Sequence, residues 1–303
     1  MSIKESLSRV LEADQIYTDE PMSRHTTFRT GGPADYLVTP RYEQMQGLVT
    51  ALRAQNIPFT VIGNGSNLLV SDHGIRGVVI EIGKQMSEIT VDGDVLHAQA
   101  GALMSAIAAR ALEAGLGGFE CEAGIPGSIG GAAVMNAGAY GGELKDVLES
   151  VEVLTPEGEL VTIPAADLDL SYRHSCIPEK GYLVVAATIR LTKADPEQIR
   201  AKMDELKEKR VSKQPLEYPS AGSTFKRPEG YFAGKLIEDA GLRGFKVGGA
   251  QVSEKHCGFV INAGGATSTD VISLMKQVRE KVKEQFGVTL EPEVKFVGDI
   301  SLQ

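Results

Sequence analysis

Residues 120–141 read ECEAGIPGSIGGAAVMNAGAYG, and the rest of the chain is organised around them. Glycines stand at 124, 127, 130, 131, 138 and 141, Gly118 leads in, and no charged side chain occurs between Ala123 and Gly141. Glycine removes the Cβ that keeps a backbone away from a ligand and allows positive φ, so main-chain N–H groups in such a run can converge on phosphate oxygens. No lysine is needed for this. The spacing matches neither the GxxxxGKS/T loop nor GxGxxG between a strand and a helix, which sets aside a P-loop and a Rossmann fingerprint. Ile125, Ile129, Val134, Met135 and Tyr140 make the run too apolar for a solvated tether, so it is expected to wrap a ligand.

A second bend of this kind lies upstream. A strand expected at Phe59 to Ile62 runs into GNGSNLLVSD, residues 63–72, and then into the apolar run GVVIEI at 77–82. Ser66 and Asn67 can hydrogen-bond phosphates there. A plain hairpin turn could use the same residues. Two cradles in one chain, however, point to a diphosphate or dinucleotide.

At 303 residues the chain exceeds one ordinary core and suggests two domains. With 42% hydrophobic and 23% charged residues it has a globular composition, without an apolar run long enough to span a bilayer. The start, MSIKESLSRVLEAD, reads as an amphipathic helix rather than a signal peptide, so a cytoplasmic location is expected. Cys121, Cys176 and Cys257 form no CxxC and are expected to be free thiols. The five histidines show no metal-ligand spacing, so no metal is expected. A net charge of −9 disfavours nucleic acid as a partner.

Periodicity places a short helix at Ile3 to Leu11, a strand at Ala34 to Val38 and a helix face over Tyr42 to Leu52. A hairpin over Asp92-Gly93 follows, then a helix at Met104 to Glu113, a hairpin over Pro156-Glu157-Gly158 and a strand at 182–193. The region from Met22 to Lys193 is therefore α+β, rich in strands. The charged segment 195–213 reads as a connecting helix at a domain boundary. Beyond it come short helices at Tyr231 to Ala240 and Asp270 to Phe286, then a terminal strand in LEPEVKFVG.

Three polar spots stand out: Arg173 in SYRHS, Ser223 in SAGSTF and Glu293 in EPE. Singly, each has a structural reading, as an ion pair, a turn residue and a solvated strand flank. No GxSxG elbow marks a serine hydrolase. Lys226, Arg227, Lys235, Arg243, Lys246 and Lys255 add local positive charge, which suits a phosphorylated or carboxylated small molecule, or simply makes a solvated face.

Taken in order, HTTFRTGGPADY, IGNGSNLLVSD, GIPGSIGGAAVMNAGAYG, SYRHS, AGSTFKRP, GKLIEDAGLRG, GGAQVS and LEPEVKFVG resemble the UDP-N-acetylenolpyruvoylglucosamine reductase family, over about Met22 to Gly298. The chain is similar to the family's shorter type, which lacks an extra capping loop. The resemblance implies a two-subdomain FAD-binding fold of the vanillyl-alcohol oxidase and p-cresol methylhydroxylase type, plus a C-terminal α+β substrate domain. The division it implies is an N-terminal helix over 1–21, FAD-binding subdomains over 22–84 and 85–194, and a substrate domain over 195–303 whose 287–303 tail returns to the flavin.

It implies non-covalent FAD, with His25 and His174 unattached to the flavin. Gly63, Asn64, Gly65, Ser66 and Asn67, with Gly124, Ile125, Pro126, Gly127, Ser128, Gly130, Gly131 and Ala132, would hold the cofactor. NADPH would be the reductant, and UDP-N-acetylglucosamine enolpyruvate would be reduced to UDP-N-acetylmuramate for peptidoglycan. Arg173 would stabilise the enolate, Glu293 would assist it and Ser223 would donate a proton, helped by Lys226 or Arg227. Lys226, Arg227, Tyr231, Lys235 and Gln251 are candidate substrate-binding residues, with Tyr231 standing in for the missing capping-loop tyrosine. The competing readings are a flavin sugar oxidase of the same fold and a non-catalytic flavin or UDP-sugar binding protein.

Overall fold

The structure, a computed structural model, describes residues 2–302 and divides into two compact units. Unit 1 gathers Met1–Tyr17, Leu37–Asn64 and Val78–Arg210, and unit 2 gathers Thr18–Tyr36, Gly65–Gly77 and Val211–Gln303.

Helix α1 (Ile3–Leu7) starts at Ser2, whose hydroxyl accepts the Glu5 N–H at 3.2 Å. Strands β1 (Ile16–Pro21) and β2 (Pro33–Val38) precede α2 (Met45–Ala54), which buries Met45, Leu48, Val49 and Leu52 as one stripe. Next come β3 (Phe59–Ile62), β4 (Leu68–Val70) and β5 (Ile75–Glu81), then the hairpin β6 (Ile89–Asp92) and β7 (Val95–Gln99). Helix α3 (Met104–Glu113) and the short β8 (Leu116–Gly117) lead into the glycine-rich run. That run holds α4 (Ile129–Met135) and the two-residue strands β9 (Gly138–Ala139) and β10 (Gly142–Glu143).

Strands β11 (Leu148–Leu154), β12 (Leu160–Pro164), β13 (Leu183–Arg190) and β14 (Thr192–Lys193) follow, then the charged α5 (Pro196–Lys213). The boundary between units falls inside α5, which buries Ile199 and Leu206. After it come α6 (Ala233–Asp239), β15 (Lys246–Val247), β16 (Ala250–Val252), β17 (Val260–Asn262), α7 (Ser268–Phe286) and β18 (Lys295–Val297).

Unit 1 is built on an antiparallel sheet in the order β12-β11-β13-β7-β6, in register at Val151↔Ala187 and Ala187↔Ala98. Alternation turns Val151, Val153, Ala187, Ile189, Leu96 and Ala98 to the buried side. Helix α4 packs on β13 and β7, with Ile129, Ala132 and Ala133 buried. On the other face, Tyr42, Glu88, His97, Glu152 and Thr188 line a polar cavity of about 260 Å³. The unit also holds a parallel pair, β3 with β5, in register Phe59↔Val78.

Unit 2 packs α7 on the antiparallel sheet β15-β16-β17 and α6 against α7. Helix α7 starts two residues earlier than its apolar pattern suggests, because Thr267 caps it by accepting the Asp270 N–H at 3.0 Å. Val271, Leu274, Met275, Val278 and Val282 are all fully buried, each contributing about 1.5–3 kcal/mol. Strand β4 and the terminal β18 pair in parallel, Lys295↔Leu68 to Val297↔Val70. Asp72, a few residues beyond the first bend, caps α7. Its carboxylate accepts the Ser268 and Thr269 N–H groups at 2.8 Å and the Thr269 hydroxyl at 2.7 Å. Burial raises its pKa, but these hydrogen bonds, Thr269 Oγ1 first, outweigh it and hold the carboxyl below its usual range.

Candidate active site

In unit 1 residues 127–130 are pinned to the segment 100–104 that joins β7 to α3. Met104 N–H donates to Gly127 O at 3.0 Å, while Ile129 and Gly130 N–H donate to Ala102 O and Ala100 O at 2.9 Å. Backbone comes so close that a Cβ on Gly130 would lie 2.8 Å from the Ala100 Cβ, and one on Gly63 would strike the Ser128 hydroxyl. The first bend joins this loop through Asn64, whose Nδ2 donates to Pro126 O at 2.7 Å. Ser128 is the N-cap residue of α4 and is 2% exposed, yet its Oγ has no hydrogen-bond partner. Among the described residues, the N–H groups of Gly127, Ser128 and Gly131 also meet no protein acceptor. A buried hydroxyl left unsatisfied costs about 1–3 kcal/mol, so this cradle is built for an acceptor-rich ligand.

Arg173 lies in the same unit, in a two-residue turn closed by Ser171 and His174, which exchange N–H···O bonds of 3.2 Å. Its φ of 54° is left-handed, a conformation that costs a long side chain on the order of 1–2 kcal/mol. The guanidinium donates from Nη2 to Gly138 O at 3.0 Å and lies 5.2 Å from the Tyr172 ring. Gly138 opens the β9–β10 hairpin, whose tip is Tyr140 and Gly141, both at positive φ. Arg210 lies over the Tyr140 ring at 5.6 Å, and burial lowers its pKa.

Next to the cradle, Glu122 is 2% exposed and its Oε2 has no partner. Burial pushes its pKa up to about 7, with the Asp146 and Glu120 carboxylates adding to the rise. Cys121, beside it, is also raised, by burial first and then by Glu122 and Glu120.

Unit 2 pairs the backbone segment that follows Ser223 with the segment that carries Glu293. Glu293 N–H donates to Thr224 O at 2.9 Å, Lys226 N–H donates to Glu291 O at 2.8 Å, and Phe225 bridges Pro292. Thr224 is fixed from its other side, its Oγ1 accepting the Val260 N–H at 2.9 Å. Asn67 joins the same place: its Nδ2 donates to Glu293 O at 3.2 Å and its carbonyl accepts the Lys295 N–H at 2.9 Å. Gly65, at φ 61°, is pressed against the His25 carbonyl, and its own carbonyl accepts the Thr27 N–H at 3.2 Å. The Oγ1 atoms of Thr27 and Thr30 are buried without partners. The HTTFRT segment therefore supplies polar groups that sequence reading had not singled out.

The basic candidates differ in their surroundings. Lys226 faces Glu291 at 3.6 Å, and Arg227 stacks on Phe232 at 4.0 Å with its Nε 3.4 Å from Tyr231 O. Tyr231 and Phe232 are exposed, at 47% and 61%. Lys235 pairs with Asp239 at 2.6 Å within α6, and the buried Gln251 donates to Gly244 O and Glu254 at 3.4 Å. His25 and His174 each have a carboxylate at 3.2 Å, Glu20 and Asp169. Asn136 and Glu122 lie inside the quoted run but had drawn no notice. An asparagine directly after an apolar helical segment is a recognised left-handed helix stop, which was the available signal for Asn136.

Glycines admitting no side chain, an orphaned serine hydroxyl and unused backbone donors fit a pyrophosphate, and the pattern is that of an FAD-binding protein. The sequence model of the FAD binding domain family matches residues 34–164. That of the UDP-N-acetylenolpyruvoylglucosamine reductase C-terminal domain matches residues 214–297. The chain is 60% identical over 296 residues to a UDP-N-acetylenolpyruvoylglucosamine reductase of Agathobacter rectalis, covering 94% of each chain. It is 51% identical over 296 residues to that of Caldanaerobacter subterraneus, covering 97% of this chain and 98% of the other. The crystal structure of the enzyme from Thermus caldophilus superposes with a TM-score of 0.80 at 36% identity, covering 92% of this chain and 97% of that one. The chain belongs to the UDP-N-acetylenolpyruvoylglucosamine reductase family, and is an FAD-dependent oxidoreductase.

Proposed function

We propose that the chain reduces UDP-N-acetylglucosamine enolpyruvate to UDP-N-acetylmuramate with electrons from NADPH, in the cytoplasm, as a step of peptidoglycan precursor synthesis serving cell wall growth, cell shape and division. The observation that carries this reading is the buried, partnerless Ser128 hydroxyl in a glycine cradle, within a chain of this family. Gly63, Asn64, Gly124, Ile125, Pro126, Gly127, Ser128, Gly130, Gly131 and Ala132, with Gly65, Ser66 and Asn67, are the groups proposed to hold FAD without a covalent bond. The division into an N-terminal helix, two FAD-binding subdomains and a substrate domain belongs to the same proposal.

When bound, FAD supplies the hydride chemistry, carrying electrons from NADPH to the terminal vinyl carbon of the substrate. The residues then have charge and a proton to manage. Arg173 is assigned to the substrate carboxylate, where negative charge grows. Its left-handed backbone fixes where the guanidinium is presented. Ser223 is assigned the proton for the neighbouring carbon, and Glu293, on the adjoining backbone, assists the same charge. A serine hydroxyl is a weak acid, so Lys226 or Arg227 is assigned to support it. Lys226, Arg227 and the exposed Tyr231 are proposed to meet the substrate, with Lys235 and Gln251 as further groups.

Anaerobic stopped-flow separates the two halves of the reaction. NADPH should bleach the flavin, and the enolpyruvyl substrate should restore its colour. Ser223→Ala should leave the bleaching rate within about twofold while slowing the recolouring at least about 100-fold, the usual span for a lost general acid. An equal loss in both halves would remove Ser223 from that role, and bleaching without recolouring in the unaltered protein would sink the proposed reaction.

A further inference from the structure

We infer that Asn136 is the positioning residue that sets Arg173, holding both its backbone turn and the strand on which its guanidinium rests. The inference builds on the role proposed for Arg173.

Asn136 follows the last residue of α4 and is fully buried. Its backbone, at φ 40° and ψ 59°, already closes the helix without help from its side chain, because the Asn136 N–H reaches Ala133 O and the Ala137 N–H reaches Ala132 O. Glycine adopts that conformation at the least cost, so what asparagine adds here is its amide and the groups it touches. Nδ2 donates to Ser171 O at 2.9 Å and to Glu143 Oε2 at 3.0 Å, while Oδ1 accepts the Lys145 N–H at 2.9 Å. Both amide hydrogens are used, and the orientation is dictated, since two acceptors face one end and a donor faces the other.

Each partner leads to the arginine. Ser171 closes the two-residue turn in which Arg173 is left-handed, so the Asn136 bond anchors the start of that turn. Glu143 lies opposite Gly138 in the β9–β10 pair, and the Gly138 carbonyl accepts the Arg173 guanidinium at 3.0 Å. The hydrogen bond from Lys145 leads in holding the Glu143 carboxyl below its usual range, with Asn136 and the Arg173 charge adding to it. A second tether, from Ser175 Oγ to Val134 O at 2.7 Å, keeps the end of the arginine loop on α4. Ser128 caps the start of α4 and Asn136 its end, so the partnerless hydroxyl and the arginine's anchor flank one seven-residue helix, a rise of about 10 Å. Phosphate cradle and arginine are thus built as one rigid piece, with Asn136 as the joint.

The test is Asn136→Gly in the FAD-loaded enzyme, which keeps the left-handed backbone and deletes the amide. Flavin bleaching by NADPH and FAD retention should change less than about twofold. Recolouring by UDP-N-acetylglucosamine enolpyruvate should slow at least tenfold, with a raised substrate KM. Arg173→Lys is run beside it. If Arg173→Lys leaves recolouring intact, the role given to Arg173 is wrong and the inference goes with it. If Arg173→Lys slows recolouring and Asn136→Gly does not, only the inference is overturned. Equal loss in both halves by Asn136→Gly would also overturn it, as a merely structural effect. Should that variant fail to fold, Asn136→Asp decides. Its protonated form can donate to Ser171 O, so its recolouring rate relative to the unaltered enzyme should climb as pH falls from 8 to 6, and a pH-independent ratio would refute the positioning role.

Discussion

Glu122 makes the stability of the chain depend on pH in a direction opposite to that of most carboxylates. Its side chain is 2% exposed, one oxygen has no partner, and burial places its pKa at about 7 against an ordinary value of 4.5. At about 1.4 kcal/mol for each tenfold change in proton affinity, that gap amounts to roughly 3 kcal/mol. Because the folded value is the higher one, the folded chain holds a proton that the unfolded chain gives up between pH 4.5 and 7. The contribution is complete below about pH 4.5, shrinks as pH rises through this window and is gone above about pH 7. Glu122→Gln stays neutral throughout and keeps the shape. Thermal unfolding of both proteins from about pH 4 to 8.5 should give matching midpoints at the acid end, with the variant ahead by about 5 °C at the alkaline end. Using the difference between the two proteins cancels every other titrating group. An offset that stays constant with pH, or one that grows toward acid, would refute the assignment of a protonated carboxylic acid at this position.

Two other substitutions probe the framework. Gly130→Ala forces a methyl to within 2.8 Å of the Ala100 Cβ, so it should destabilise by about 1–3 kcal/mol and loosen FAD, read by denaturant unfolding and by flavin release on dilution. Asp72→Ala removes the carboxylate cap of α7 and should cost about 1–2 kcal/mol by urea unfolding, with no change in flavin bleaching by NADPH.

The two glycine-rich bends were readable as tight backbone turns because the requirement there is local: glycines that admit close packing, in a run too apolar to be a tether. Helix α4 was not, because Gly130 and Gly131 each lower helix propensity by about 1 kcal/mol, and the helix persists through Ile129, Ala132 and Ala133 packing on the sheet. Strand β4 hid for a related reason, since the strand that its three residues pair with is β18, near the other end of the chain. The three groups proposed to react, Arg173, Ser223 and Glu293, were visible in the sequence only as scattered polar spots. The neighbourhood of Ser223 and Glu293 rests on a backbone bond between Thr224 and Glu293 that no spacing rule foretells. Glu122 gives no sign in sequence at all, because its proton affinity is set by burial, which belongs to the folded state.

The parallel pairing of β4 with β18 has a consequence for biosynthesis. Lys295, which aligns with Leu68, follows it by 227 residues (295 minus 68). At about 5–20 residues per second, a ribosome needs about 11–45 s to make that interval. Throughout translation of the intervening stretch, Leu68 to Val70 must wait without their partner strand, and the carbonyl of Asn67 cannot accept the Lys295 N–H until residue 295 has been made.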